Sequence, residues 1–149
     1  MEKFKITEGT DGKKWLIFNS LYPKECCDFA VDNNIKNVKL YPGYYTHINL
    51  EPILPLKDFL EGLLLNEKVD FSEIHQFDGL IQLGALDNKK NKLDLARFPK
   101  LETLACSVTK RLVGLGTCKN LTSLTVSYYN PESAISQSFR GLIHLNVWP

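Results

Sequence analysis

"CKNLTSLTV", Cys118 to Val126, is the stretch that decides how this chain is read. Slid backwards it lies over "FPKLETLAC" (98–106) and then over "FDGLIQLGA" (77–85); slid forwards it lies over "FRGLIHLNV" (139–147). Each copy reads aromatic or Cys, two residues, Leu, two residues, Leu, one residue, then a small or branched apolar residue. The leading leucines, Leu80, Leu101, Leu121 and Leu142, fall 21, 20 and 21 residues apart. One LxxLxL is weak evidence of anything. Repetition in a fixed register is specific.

The frame extends upstream. Leu60, Leu63 and Leu65 fit in "LEGLLLN", and Ile35, Val38 and Leu40 fit in "IKNVKLYP". A competing reading makes 55–66 an amphipathic helix, because Leu56, Phe59, Leu60, Leu63 and Leu64 also follow a helical stripe. In the repeat frame the last two apolar positions of each copy are two apart, so they share one side of a short strand. The leucine three residues earlier packs where the chain turns into that strand. A further apolar anchor precedes each copy: Ile74, Leu95, Leu115 and Ile135. One unit cannot cover these side chains. Stacked units bury them in a ladder, each worth roughly 1.5–3 kcal/mol.

This pattern resembles the leucine-rich repeat family, over about Ile35 to Pro149 and most securely over Phe77 to Val147. Stretches such as "NKLDLARFPKLETL" and "VGLGTCKNLTSLTVSYYNP" are similar to those of short, irregular bacterial members. The usual asparagine position holds Lys68, Asn88, Thr109 and Tyr129, so only Asn88 follows the consensus. The resemblance implies an α/β fold: a leucine-rich repeat solenoid with a short parallel sheet on one face.

Upstream of the repeats, "KFKIT" and "KKWLIF" alternate around "EGTDG" and are expected to form a hairpin, with Asp11-Gly12 in its turn. "YPKECCDFAVDNN" reads as a short helix. Pro23 lies in its first turn, Cys26, Cys27, Phe29, Ala30 and Val31 form its apolar surface, and Asn33-Asn34 stop it. Residues 1–34 are thus an N-terminal β-hairpin and helix cap. Residues 35–149 hold about six repeats of 20–25 residues, and 1–149 form a single domain. The strand at 144–147 is expected to be the outermost. Either the array continues in a longer chain, or two copies meet as a homodimer through Phe139, Leu142, Ile143 and Trp148.

Composition narrows the function. Apolar residues make up 44% and charged residues 23% of the 149, a globular rather than disordered balance. A net charge of +1 leaves no electrostatic footprint for nucleic acid or an anionic membrane. The N-terminus lacks the apolar core of a signal peptide, and no apolar run approaches membrane-spanning length. Cys26, Cys27, Cys106 and Cys118 lack zinc-ligand spacing, so reduced thiols in the cytoplasm are expected and the sequon at Asn120 is a chance match. Cys106 and Cys118 stand at ladder positions and should be buried. His47, His75 and His144 are not spaced for a metal and should be solvated, His144 on a strand pointing away from the core. Gly114 and Gly116 do not make a phosphate loop, and "DNKKNK" (87–92) reads as a solvated turn. No cofactor is expected, and no catalytic or metal site.

The functional expectation is a non-catalytic protein-binding module using the exposed side of the sheet. Its sharpest form, an immunity or inhibitor protein, rests on the family resemblance and on small size. The frame aligns three outward columns: Asn37, Gly62, Gln82, Thr103, Ser123, His144; Lys39, Leu64, Gly84, Ala105, Thr125, Asn146; and Tyr41, Asn66, Leu86, Ser107, Ser127, Trp148. Tyr41, Gln82, Thr103, Ser123, Thr125, His144, Asn146 and Trp148 are the candidate partner-binding residues. Tyr44-Tyr45, Tyr128 and Tyr129 add exposed aromatic candidates in neighbouring turns. The alternative is a small hydrolase or transferase with a Cys-His or carboxylate site, which needs a pocket and a cysteine beside a histidine.

Overall fold

The ladder can be followed strand by strand in a computed structural model, which describes residues 1–86, 90–129 and 144–147; of residues 108, 127–129 and 144–147 only the backbone is described. The strands are β1 (Lys5–Glu8), β2 (Lys14–Ile17), β3 (Asn37–Lys39), β4 (Gly62–Leu64), β5 (Gln82–Ala85), β6 (Leu93–Asp94), β7 (Thr103–Val108), β8 (Leu112–Val113), β9 (Ser123–Tyr129) and β10 (His144–Val147). Among the described residues one α-helix, α1, spans Pro23–Asp32. The architecture is mixed α/β, with a mostly parallel sheet in the order β1-β2-β3-β4-β5-β7-β9-β10 and a separate pair, β6-β8.

The register is that of the repeat frame. Val38, Leu63, Leu83, Leu104, Leu124 and Leu145 are mutual partners along the sheet. Val38, Leu63, Leu83, Leu104 and Leu124 are buried, as are the leading residues Ile35, Leu60, Leu80, Leu101 and Leu121. A backbone motif stitches unit to unit. The carbonyl of Lys36 accepts from the amides of Glu61 and Gly62, that of Glu61 from Ile81 and Gln82, that of Ile81 from Glu102 and Thr103, and that of Glu102 from Thr122 and Ser123. Each strand is thereby fixed at its first residue, and the apolar positions of successive units stack.

The opposite wall is built from one-turn 3₁₀ helices at Ile74–Gln76, Leu95–Arg97 and Leu115–Thr117. They bury the anchors Ile74, Leu95 and Leu115; Ile135 lies outside the described residues. Between 51 and 66 the chain is a 3₁₀ helix, Glu51–Leu56, followed by β4, so the amphipathic-helix alternative does not hold. Pro52 and Pro55 lack the amide hydrogens an α-helix needs, while Gly62 and Leu63 pair with β3 and β5.

The hairpin forms at β1–β2, with Gly12 at φ 77° and Asp11 accepting from the Lys13 amide in the turn. β2 pairs in parallel with β3 through Leu16 and Val38, so β1 is the edge strand. At the other end β10 is outermost among the described strands; Phe139, Leu142, Ile143 and Trp148 lie outside the described residues. Helix α1 buries Cys26, Cys27 and Ala30, and Phe29 stacks on Phe4 at 4.4 Å. Val31, expected on the apolar face, is exposed instead: it follows buried Ala30 directly, about 100° further round the helix. Asn34, at φ 52°, takes the chain out of the helix.

Candidate functional site

Two outward rows cross the sheet as the frame requires. Asn37, Gly62, Gln82, Thr103, Ser123 and His144 are partners in one; Lys39, Leu64, Gly84, Ala105, Thr125 and Asn146 are partners in the other. Gln82, Thr103, Ser123, Ala105 and Thr125 are half-buried, each showing an uncharged side chain to solvent. Backbone pairing continues the rows to His144 and Asn146, whose side chains are not described; Trp148 lies outside the described residues.

The third column does not form. A bulge after Cys106 sets Ser107 opposite Tyr128 instead of Ser127, and Ser107 is buried. An extra residue in one strand breaks the alternation on which the column depended. Tyr41, Asn66 and Leu86 lie beyond the ends of β3, β4 and β5, where the chain is turning. Tyr41 is 57% exposed and stands apart from the Gln82–Ser123 row.

The rows are also unequal along their length. Trp15, one residue from inward-facing Leu16, lies on the outer face and is buried at 2% exposure. A Cβ on Gly62 would stand 2.8 Å from its ring. The Lys39 ammonium lies 5.4 Å from the Trp15 ring centroid and donates to Thr7 Oγ1 at 3.2 Å. Next along, Leu64 leans over Gly84, where a Cβ would meet it at 2.5 Å. The small residues at 62 and 84 are therefore filled from within the chain. The open part of the face is over β5, β7 and β9. Period-two alternation in "KKWLIF" places Trp15 on this side, one strand before the columns that begin at Asn37.

At the carboxyl ends of β3–β5 the outer face sinks into a hollow of about 340 Å³, lined by Lys39, Tyr41, Leu64, Asn66, Glu67 and Leu86 among others. A larger cavity, about 540 Å³, shares Asn66, Glu67 and Leu86 with it and reaches Lys90, next to the undescribed residues 87–89.

Of the side chains expected at the surface, one is buried and another only partly solvated. Tyr45 is buried, and its hydroxyl donates to the Asn49 carbonyl at 2.6 Å; burial, with a smaller push from Glu73, raises its pKa. Its neighbour Tyr44 is half-buried, with the Lys5 ammonium 5.8 Å from its ring centroid. His75 is half-buried against Phe98, and its Nε2 accepts from the Asp94 amide at 2.9 Å. It supplies the acceptor that a preceding strand would have given β6. Desolvation lowers its pKa, against an upward pull from Asp94. His47 is exposed, as expected.

The chemistry that a Cys-His enzyme needs is poorly served. All four cysteines are buried and free. Cys27 and His47 line a common cavity of about 440 Å³ with Pro23, Pro52 and Pro55. The Cys27 thiol, however, donates to the Pro52 carbonyl at 3.7 Å, and burial pushes its pKa up to about 11. That is the opposite of nucleophile activation. Among the described residues no group of three His, Cys, Asp or Glu could hold a metal ion, and no helix is long and apolar enough to cross a membrane.

No family model matches the chain, and neither a curated protein nor a solved structure matches it.

Proposed function

We propose that the chain is a leucine-rich repeat solenoid of the short bacterial kind, acting in the cytoplasm as a non-catalytic protein-binding module. The supporting observation is the pair of rows Gln82–Thr103–Ser123 and Ala105–Thr125: in register, partly solvated, uncharged and low in relief across β5, β7 and β9. Side chains that only keep a protein in solution are usually charged; short uncharged ones let a partner's backbone and side chains come close to the sheet. The partner is another protein, and an immunity or inhibitor role, masking an enzyme or toxin, is the specific form of the proposal. Pairing of β10 with a second copy belongs to the same reading, since an outer strand carries unpaired backbone groups.

The test is capture of the partner from native extract by tagged protein, with Thr103→Arg and Ser123→Arg compared with the unaltered chain. Both variants are expected to keep their melting temperature within a few degrees and to lose the partner. Capture that survives both substitutions, or unfolding of Ser123→Arg, overturns the reading.

A further inference from the structure

The hollow at the carboxyl ends of β3–β5 differs from the rest of the outer face. Its apolar lining comes from Leu40, Pro42, Leu64, Leu65 and Leu86, and exposed Tyr41 stands at its side. At about 340 Å³ it is at the bottom of the range for small-molecule pockets, roughly 300–1,000 Å³, and it is open to solvent where such pockets enclose their ligand. That volume suits one large side chain projecting from a bigger molecule.

Lys39 gives the hollow a polarity. Its ammonium is held over the Trp15 ring and by the Thr7 hydroxyl. Neither carries a negative charge, and no salt bridge is formed to Lys39 among the described residues. One hydroxyl takes one of three ammonium hydrogens, so donor capacity remains. The two rows of the outer face contain no other lysine, arginine or carboxylate. Glu67, the acidic residue among those lining the hollow, limits a partner to a single carboxylate, placed on Lys39.

We propose that this hollow is the anchor point of the partner. It takes one aromatic side chain from a protein segment whose neighbouring residue is an aspartate or glutamate, with the ring against Leu64 and Leu86 beside Tyr41 and the carboxylate on Lys39. The proposal rests on the protein-binding reading above. It commits to a protein segment because Lys39 and Leu64, which line the hollow, belong to a row that continues through Gly84, Ala105 and Thr125, across which an extended partner can run.

The probes are three blocked tetrapeptides, Gly-Trp-Asp-Gly, Gly-Trp-Asn-Gly and Gly-Gly-Asp-Gly, titrated into ¹⁵N-labelled full-length chain. Saturable amide shifts are expected at Lys39, Tyr41, Leu64, Asn66 and Leu86 with the Trp-Asp peptide, with a dissociation constant around 1 mM for so small a ligand. The Trp-Asn peptide should bind about two- to fivefold more weakly, the scale of a partly exposed ion pair. The peptide without tryptophan should give no saturable shift. Lys39→Gln should erase the Asp-over-Asn preference while the tryptophan-dependent shifts remain. Absence of saturable shifts up to about 5 mM overturns the proposal. So do shifts centred elsewhere, or a preference that survives Lys39→Gln. If the peptides fail while Ser123→Arg still abolishes partner capture, the hollow is not the anchor and the binding face stands. If both fail, the protein-binding reading falls with it.

Discussion

Trp15 lies across the outer face of the sheet above Gly62, and the missing side chain at 62 is what lets it settle there. A Cβ at that position would be 2.8 Å from Trp15 Cη2. The ring has little room to retreat. A Cβ on Gly9 would be 3.2 Å from the indole nitrogen, and Asn37, next to Gly62, is pinned by its bond to the Lys14 carbonyl. Gly62→Val should therefore cost about 1–3 kcal/mol through overpacking. In a Trp148→Phe background, where emission reports Trp15 alone, the fluorescence maximum should move to the red. Unchanged stability and emission would show that the ring is not held against this strand.

Leu124 carries a different kind of load. It is fully buried beside buried Leu104, and its backbone pairs with Leu104 on one side and Leu145 on the other. Leu124→Ala should cost about 2–5 kcal/mol, the span for a leucine cavity that collapses only in part. A loss under about 1 kcal/mol in denaturant unfolding would contradict the ladder.

Much of this arrangement was legible because it is periodic. The LxxLxV spacing fixes which residues point inward, and parallel pairing of equivalent units then aligns Gln82 with Thr103 and Ser123 without further information. What escaped is whatever one unit does to another at a single place. Nothing near His75 marks Asp94, 19 residues on, as its partner. The bulge at Ser107 depends on how β7 and β9 pack, not on the local residue type. Tyr45 is buried because the irregular 41–50 segment folds it inward, where no alternation exists to be read. The hollow was missed for the same reason: its residues lie past the strand ends, where a column is no longer a row of hydrogen-bonded partners.

His75 makes the fold sensitive to mild acid. Its Nε2 accepts a proton-bearing amide, so the ring must be unprotonated at that nitrogen. Desolvation, together with Arg97 and Lys92, outweighs the attraction of Asp94 and places the folded-state pKa below the ordinary 6.5. The unfolded chain then binds the proton more readily than the folded one. Stability is complete above the unfolded value and declines as the pH falls from about 6.5 towards the folded value. The loss should be small, since the ring is only partly shielded. His75→Gln should remove that portion of the pH slope. An identical slope in the variant would assign the effect to other groups.

The thiols separate a binding module from a Cys-His enzyme. Burial pushes Cys106 up to about 12 and both Cys27 and Cys118 to about 11, and it raises Cys26 as well. At neutral pH a thiol near 11 is ionised to about one part in ten thousand, and the thiolate is the reactive form. Cys27 is the one that shares a cavity with His47, so it is the one to watch. Ellman's reagent added to native protein at pH 7 should modify none of the four cysteines within minutes, and all four after unfolding. Rapid modification of one thiol in the native protein, lost in Cys27→Ser and slowed by His47→Ala, would mean that the pair is activated after all. The Cys-His hydrolase would then be the better account of this protein.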